Sequence, residues 1–416
     1  MKSGRSRPSQ ICGQIGAGHP SRLGLSGPFS PTYDGQDVRR EDVRRLRRDV
    51  ERLAAGDGDW VTFASRAGEA LRKVIPFDRT CWHPVDPGTM LFTGSLVKDM
   101  VCDGAWLARY EYATDDVNQW AFLARSGYRA GSLNQATSGN PSRSPRYLSS
   151  NGSLGDELRG AFVVDGGYWG AAGFLRDRGR PLFDEDEVRL LASLSPLLGA
   201  GFRQRVLRTS LGKDQPPEPP GLVVLDAQGD VESISPAAGN WLEQLVELPP
   251  PRRPEESRVL QAVAAQVRRT AAELGGSELP ARVRVQTLSG RWLVLDGMSL
   301  PGKEEGRIAV MIQPAPAHEV APLIVQAYGL SEREREITLL CLRGMSTRDI
   351  SAALSISPYT VQDHFKGIFD KTGARSRAEL IGQIFLEHYV PRFQELEHPP
   401  AGWHAQEIAA PEALGG

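Results

Sequence analysis

Cysteine is scarce in this chain. Its four thiols among 416 residues, Cys12, Cys81, Cys102 and Cys341, make no CxxC pair and no metal-ligand spacing. A disulfide-stapled framework and a zinc ribbon are thereby excluded, and a reduced, cytoplasmic chain is expected. No run approaches the roughly 18 apolar residues of a membrane span, so no membrane partner is expected. Met1–Gln36 opens with Lys2 and Arg5 but lacks the apolar stretch of a signal peptide. Gly-rich phosphate loops, a Ser/His/Asp order and paired-carboxylate motifs are missing too. No catalytic residue, metal ligand or cofactor is therefore assigned, and an enzyme is not expected. Charge of one sign is also lacking: 49 Lys and Arg stand against 51 Asp and Glu, a net −2. Any nucleic-acid binding must come from one small module.

What is present is a globular composition, 40% hydrophobic and 24% charged, long enough for about two to four domains. Residues 1–36, rich in Ser, Gly, Pro and Arg, read as a disordered tail or as upstream sequence not used in the cell. Residues 37–55 should be a helix, with Val43, Leu46, Val50 and Leu53 on an a/d spacing for two heptads. Two heptads fit either a surface helix or half of a dimer seam. A second helix is predicted over Trp60–Val74. From Pro76 the texture turns to strands and glycines. Asp165-Gly166-Gly167 joins two buried strands as a hairpin. Phe183-Asp184-x-x-Glu187 caps a helix to about Leu211, which Pro196 either kinks or divides.

Side chains in this region have readings of their own. Cys81 and His83, two apart on a strand, share a face without a third ligand and read as core packing. Trp106, Trp120 and Trp169 read as core or pocket wall, and Arg143 and Arg146 as an anion site or a solvated loop.

Residues 212–220 form a proline-rich linker. Beyond it come two strands from Gly221, a helix over Pro236–Leu245, and an amphipathic helix over Arg258–Leu274. Three strands follow, Ala281–Thr287, Arg291–Met298 and Ile308–Gln313. Residues 389–416, rich in Pro, Ala, Gly and Glu, should be a flexible tail.

The stretch Leu330–Leu386 reads as four short helices. Ser331 with Glu334 is a capping box, Ser346 with Asp349 a weaker one, and Ser376 with Glu379 a full one. Ser357 before Pro358 is an N-cap, and Gly344 and Gly373 sit where helices stop. In the third helix Val361, Phe365, Ile368 and Phe369 share one stripe, while Tyr359, Gln362, Asp363 and Lys366 share the opposite one. That polar face suits a major groove, and it equally suits an ordinary solvated helix. The module holds eight Lys/Arg and eight Asp/Glu between Leu330 and Glu387, with the acids early and Lys366, Lys371, Arg375 and Arg377 late.

Ser331-x-Arg333-Glu334, Gly344-Met345-Ser346-Thr347-x-Asp349-Ile350-Ser351, Ile356-Ser357-x-x-Thr360-Val361-x-x-His364 and Lys371-Thr372-Gly373-Ala374-x-Ser376-Arg377 together resemble a LuxR-type (GerE-like) helix-turn-helix. The resemblance implies a DNA reader over 320–388, with Thr347, Arg348, Tyr359, Thr360, Gln362, Asp363, Lys366 and Lys371 at the DNA. Gln362 stands where the family usually has a basic residue, and Asp363 also departs from its pattern.

Residues 37–211 resemble a GAF-like sensor domain, as in GAF-containing helix-turn-helix regulators of actinobacterial type. The likeness rests on Pro76-Phe77-Asp78, Tyr112-x-x-x-Asp115-Asp116-Val117-Asn118, Pro141 to Tyr147 and Gly155 to Arg159. The strand and helix order of residues 221–315 resembles a PAS-like domain, which would serve either as a sensor or as a structural spacer. The expected fold class is therefore multi-domain α+β: a GAF-like α/β domain, a PAS-like α+β domain and an all-α four-helix reader. The expected function is transcriptional regulation by a homodimer on double-stranded DNA, controlled through the GAF-like and PAS-like region by an unidentified small-molecule effector or by dimer geometry, with RNA polymerase as a partner if it activates. The competing reading is a signalling protein whose helix-turn-helix serves protein contacts.

Overall fold

The computed structural model describes residues 40–150, 154–208, 219–273, 281–301 and 306–384. The tails expected at 1–36 and 389–416, and residues 212–218 of the expected linker, lie outside the described residues. The fold class is mixed α and β as expected, with two sheets and an all-α C-terminal unit. The described chain forms two compact units, one of residues 40–208, 219–288 and 292–315, the other of 289–291 and 316–384.

Unit 1 begins with α1 (Arg40–Ala55) and α2 (Trp60–Arg72), the latter capped by Asp59, whose carboxylate accepts from Thr62 N at 2.7 Å. Strands β1 (Arg79–Pro84) and β2 (Ser95–Lys98) follow. An insertion then carries α3 (Gly104–Ala108), one turn of π-helix (Arg109–Ala113), α4 (Trp120–Ser126), β3 (Ala130–Ser132), α5 (Leu133–Ala136) and α6 (Pro145–Ser149). The predicted hairpin is β4 (Leu154–Val164) and β5 (Gly167–Asp177), longer than expected. Its turn places Asp165 at φ 47° and Gly166 at φ 74°, the left-handed pair that matches strand twist.

The helix predicted after the hairpin is α7 (Glu185–Arg208), and Pro196 lies inside it without dividing it. Asp184 and Glu187 cap it reciprocally, at 2.8 and 3.1 Å. α7 packs on β4 with α1 and α2 beside it. Leu46 and Val50 of α1 are buried within this chain, and Arg205 of α7 donates to the carbonyls of Leu53, Ala54 and Gly56 at the end of α1. Half of the expected dimer stripe is thus covered inside one subunit. Gly170 admits this packing, since a Cβ there would stand 2.5 Å from Phe202.

Unit 1 continues with β6 (Gly221–Leu225), β7 (Val231–Ile234), α8 (Pro236–Glu243), β8 (Glu247–Leu248) and α9 (Arg258–Ala272). It ends with β9 (Arg282–Gln286), β10 (Trp292–Leu300) and β11 (Arg307–Pro314). Apart from β8, the strands close one antiparallel sheet in the order β7-β6-β11-β10-β9. The two-strand, helices, three-strand pattern read from the sequence is what forms it. Two features were not visible there. β8 leaves this sheet and pairs in parallel with β2, giving the first sheet the order β3-β4-β5-β1-β2-β8. α9, expected to be amphipathic, is buried without a break from Arg258 to Val267. One side meets β10 and β11, the other meets α3 and the π turn. One apolar cluster accordingly runs from Cys81, Phe92 and Trp120 through Val263 to Val310. Asp86, fully buried, accepts from Arg284 Nε at 2.8 Å and Arg284 N at 3.1 Å across the same seam.

A candidate DNA-recognition surface

Unit 2 is built from α10 (Ala317–Ala327), α11 (Glu332–Leu342), α12 (Thr347–Leu354), α13 (Pro358–Thr372) and α14 (Arg377–Gly382). Local chemistry sets each boundary. Ser331 and Glu334 form the predicted capping box, with Ser331 N donating to Glu334 Oε2 at 2.7 Å. Ser346 and Asp349, expected to cap weakly, make the complete box, at 3.0 and 3.2 Å. Ser376 accepts from Glu379 N at 3.1 Å, but the carboxylate of Glu379 turns to Arg375 N at 2.8 Å, so the full box expected there is half formed. Ser357 caps α13 through Thr360 N at 3.0 Å with Pro358 at the first position, and Gly373 ends it at φ 77°. Between α12 and α13, Ser355 takes φ 54°, and Ser351 Oγ holds the turn by donating to Ile356 O at 2.6 Å.

The core of this unit draws one face of α13. Val361, Phe365 and Ile368 are buried with Ile337, Cys341, Ile350 and Leu380. The opposite face is open: Tyr359, Gln362, Asp363 and Lys366 are all exposed, Tyr359 by 70%. Four side chains of different chemistry therefore stand in one row on a helix whose position is held from behind. Arg348 is exposed at the start of α12, while Thr347 and Thr360 are half-buried.

Several expected contacts carry structure as well. Thr360 Oγ1 lies 2.8 Å from the capping Ser357 Oγ. Lys371 donates to Glu334 Oε2 at 2.6 Å, tying the end of α13 to the start of α11. Burial would raise the Glu334 carboxyl, but the Lys371 ammonium and the Ser331 N–H and hydroxyl outweigh it and hold the group below its ordinary range. A Cβ at Gly367 would come 2.7 Å from Glu334 Oε1, so the glycine leaves room for this bridge. Lys366 donates to Asp363 Oδ1 at 2.9 Å in solvent. Arg377, grouped with the late basic residues, donates to Met345 O and Thr347 Oγ1 and covers the Phe365 ring at 4.9 Å. Arg333 does similar work, donating to Leu354 O at 2.9 Å to close the end of α12. Nothing local marks Arg333 or Arg377 for these roles, because their partners lie 21 and 32 residues away.

In unit 1, Arg146 is buried and paired with Asp116 at 3.1 Å and Glu157 at 2.9 Å. It is neither an anion site nor part of a solvated loop, as the sequence had left open. His83 stacks on Phe92 at 4.2 Å in the core, where burial and the nearby Arg258 pull its pKa down to about 3. No helix among the described residues is long and apolar enough to cross a membrane.

Residues 329–383 match the family described as bacterial regulatory proteins, luxR family. Over 61 residues the chain is 43% identical to a putative HTH-type transcriptional regulator in the exeN 3′ region of Aeromonas salmonicida, a match covering 15% of this chain and 31% of that protein. The chain thus spans about a third of the length of that curated relative. Among solved structures, a GAF domain from A. aeolicus in an inactive state is 12% identical, covers 40% of this chain and 98% of that one, and gives a TM-score of 0.25. The Vibrio cholerae VqmA dimer without target DNA, described among LuxR-type receptors, is 19% identical, covers 40% and 82%, and gives a TM-score of 0.19. At these scores neither likeness carries an argument. The C-terminal unit of this chain carries a LuxR-family helix-turn-helix.

Proposed function

We propose that the chain is a transcriptional regulator that reads double-stranded DNA through the open face of α13, as a homodimer, with residues 37–211 (GAF-like) and 221–315 (PAS-like) as its input and 320–388 as its reader. The observation that supports this reading is the row Tyr359, Gln362, Asp363 and Lys366, exposed on a helix anchored by caps, by Lys371–Glu334 and by Arg377. A side-chain amide matches the N6/N7 edge of adenine in two bonds, so Gln362 is the base reader. Arg348 and Lys366 meet phosphate. With eight cations against eight acids, one module holds DNA weakly, and a second copy on a paired half-site supplies the missing affinity.

The same balance of charge sustains a second reading, a helix-turn-helix that binds protein. Affinity for unselected DNA, measured across salt concentrations, separates them. A reader gives a steep log–log slope of about −0.9 per neutralised phosphate, and a protein-contact module gives none. Selection of bound sites from random DNA then yields the operator, and a two-fold related pair of half-sites is the expected product.

A further inference from the structure

Four acids of unit 2 help to hold its helices in place. Glu334 and Asp349 complete capping boxes, and Glu379 accepts from Arg375 N at 2.8 Å. Glu336 pairs with Arg333, which closes the end of α12. Asp363 does nothing of the kind. Its carboxylate accepts only from Lys366 Nζ, at 2.9 Å, with both side chains exposed and no backbone donor engaged. It stands on the open face of α13, next to Gln362, where the fold gives it no task.

A carboxylate facing a duplex is repelled by the phosphates and weakens binding everywhere unless a base donor meets it. An exposed pair holds its cation weakly, so phosphate draws Lys366 away and leaves both oxygens of Asp363 free to accept. The major groove offers amino donors on two bases only, cytosine at N4 and adenine at N6. Adenine sets its N7 acceptor beside N6, which suits the amide of Gln362 and repels a carboxylate. Guanine offers only acceptors there, and thymine an acceptor and a methyl group, neither of which a carboxylate can bond. Cytosine shows its amino group with no acceptor of its own beside it. The match for Asp363 is cytosine.

We infer that Asp363 is a specificity determinant, accepting from the N4 amino group of a cytosine in the same half-site in which Gln362 reads adenine. The inference rests on the regulator reading above and deepens it, naming C·G as a second base pair of the operator. Asp363 thereby acts with opposite signs on two kinds of DNA. It weakens the hold on unselected sequence, where it meets phosphate charge without a donor, and strengthens the hold on sites with cytosine in place. Both effects widen the ratio of specific to non-specific affinity, which is what locates one operator among many competing sites.

The test is selection from random DNA with the full native chain, Asp363→Asn, Asp363→Ala and Lys366→Ala. Asp363 and Lys366 are exposed and join no helix cap, so unfolding midpoints should not move. The native chain is expected to select C·G at one fixed position per half-site, by about fivefold or more over T·A. Asp363→Ala should lose that preference while binding unselected DNA more tightly. Asp363→Asn should move it to adenine, whose N6/N7 edge a side-chain amide matches. Lys366→Ala should keep it. Absence of C·G from the native selection, or its retention in either Asp363 variant, overturns the inference. Loss in Lys366→Ala alone overturns it too, transferring the pair to Lys366 on guanine. Each of these results leaves the regulator reading standing, because salt-dependent binding and the Gln362 position persist. A native chain without salt-dependent DNA binding sinks both.

Discussion

Gln362 and Lys366 sit one turn apart on the same exposed face of α13, yet they are expected to fail differently. Gln362→Ala should cost on the order of 1–3 kcal/mol at one base position and relax preference there. Unchanged sequence preference in a binding-site selection would remove Gln362 from the reading. Lys366 begins from a solvent-exposed pair with Asp363, of a kind worth under about 1 kcal/mol, so phosphate competes for it readily. Lys366→Ala should weaken all sequences alike and lower the salt slope by about 0.9 per monomer, and Asp363→Asn should strengthen binding to unselected DNA. A loss confined to one base would make Lys366 a reader instead. Tyr359, Gln362, Asp363 and Lys366 were legible because a face recurs every three to four residues. The second duties of Lys371 and Thr347 were not, since they depend on which helix passes behind.

At the scale of the element, α7 is the informative case. Pro196 removes a backbone donor, yet the helix continues, so the division that the sequence allowed does not occur. The residue before it explains part of its placement. Ser195 Oγ donates to Ala161 O at 2.7 Å and accepts from Val163 N at 3.0 Å, where the β4–β5 register shifts between Phe162 and Val163. The bulge releases backbone groups in the core, and this hydroxyl takes them up. Ser195→Ala should therefore destabilise unit 1 by roughly 1–3 kcal/mol, read as a shift in urea midpoint without a change in slope. A shift of no more than a few tenths would mean that those groups find other partners.

Across the whole molecule, residues 40–208 and 219–315 of unit 1 share one core, so acid–base changes in the buried cluster should be felt by both. Burial lifts Glu111 from 4.5 to about 7, more than the nearby Arg159 and Arg146 lower it. Its folded pKa lies above the unfolded one. The stability it contributes is complete below pH 4.5 and is lost as pH rises through 7. His83, depressed to about 3, acts in the opposite sense, losing stability as pH falls below 6.5. Variants separate the two. Glu111→Gln should gain on the native chain steadily between pH 4.5 and 7 in the unfolding midpoint of unit 1. A constant difference across that range would show that Glu111 keeps an ordinary pKa.

Whatever depends on a few neighbouring residues could be read from the chain alone. Helix caps at Ser331, Ser346 and Ser357, the Asp165-Gly166 turn, the strand pattern after Gly221 and the polar face of α13 are all settled within three or four positions, by hydrogen bonds and periodicity. Tertiary structure alone decided what joins distant segments. Arg146 is buried because Asp116 and Glu157 meet it from 30 and 11 residues away. Asp86 finds Arg284 across 198 residues, and α9 is buried on all sides from Arg258 to Val267 because a second layer covers it. Such pairings depend on where chain segments cross, and one chain's composition and spacing do not encode that crossing locally.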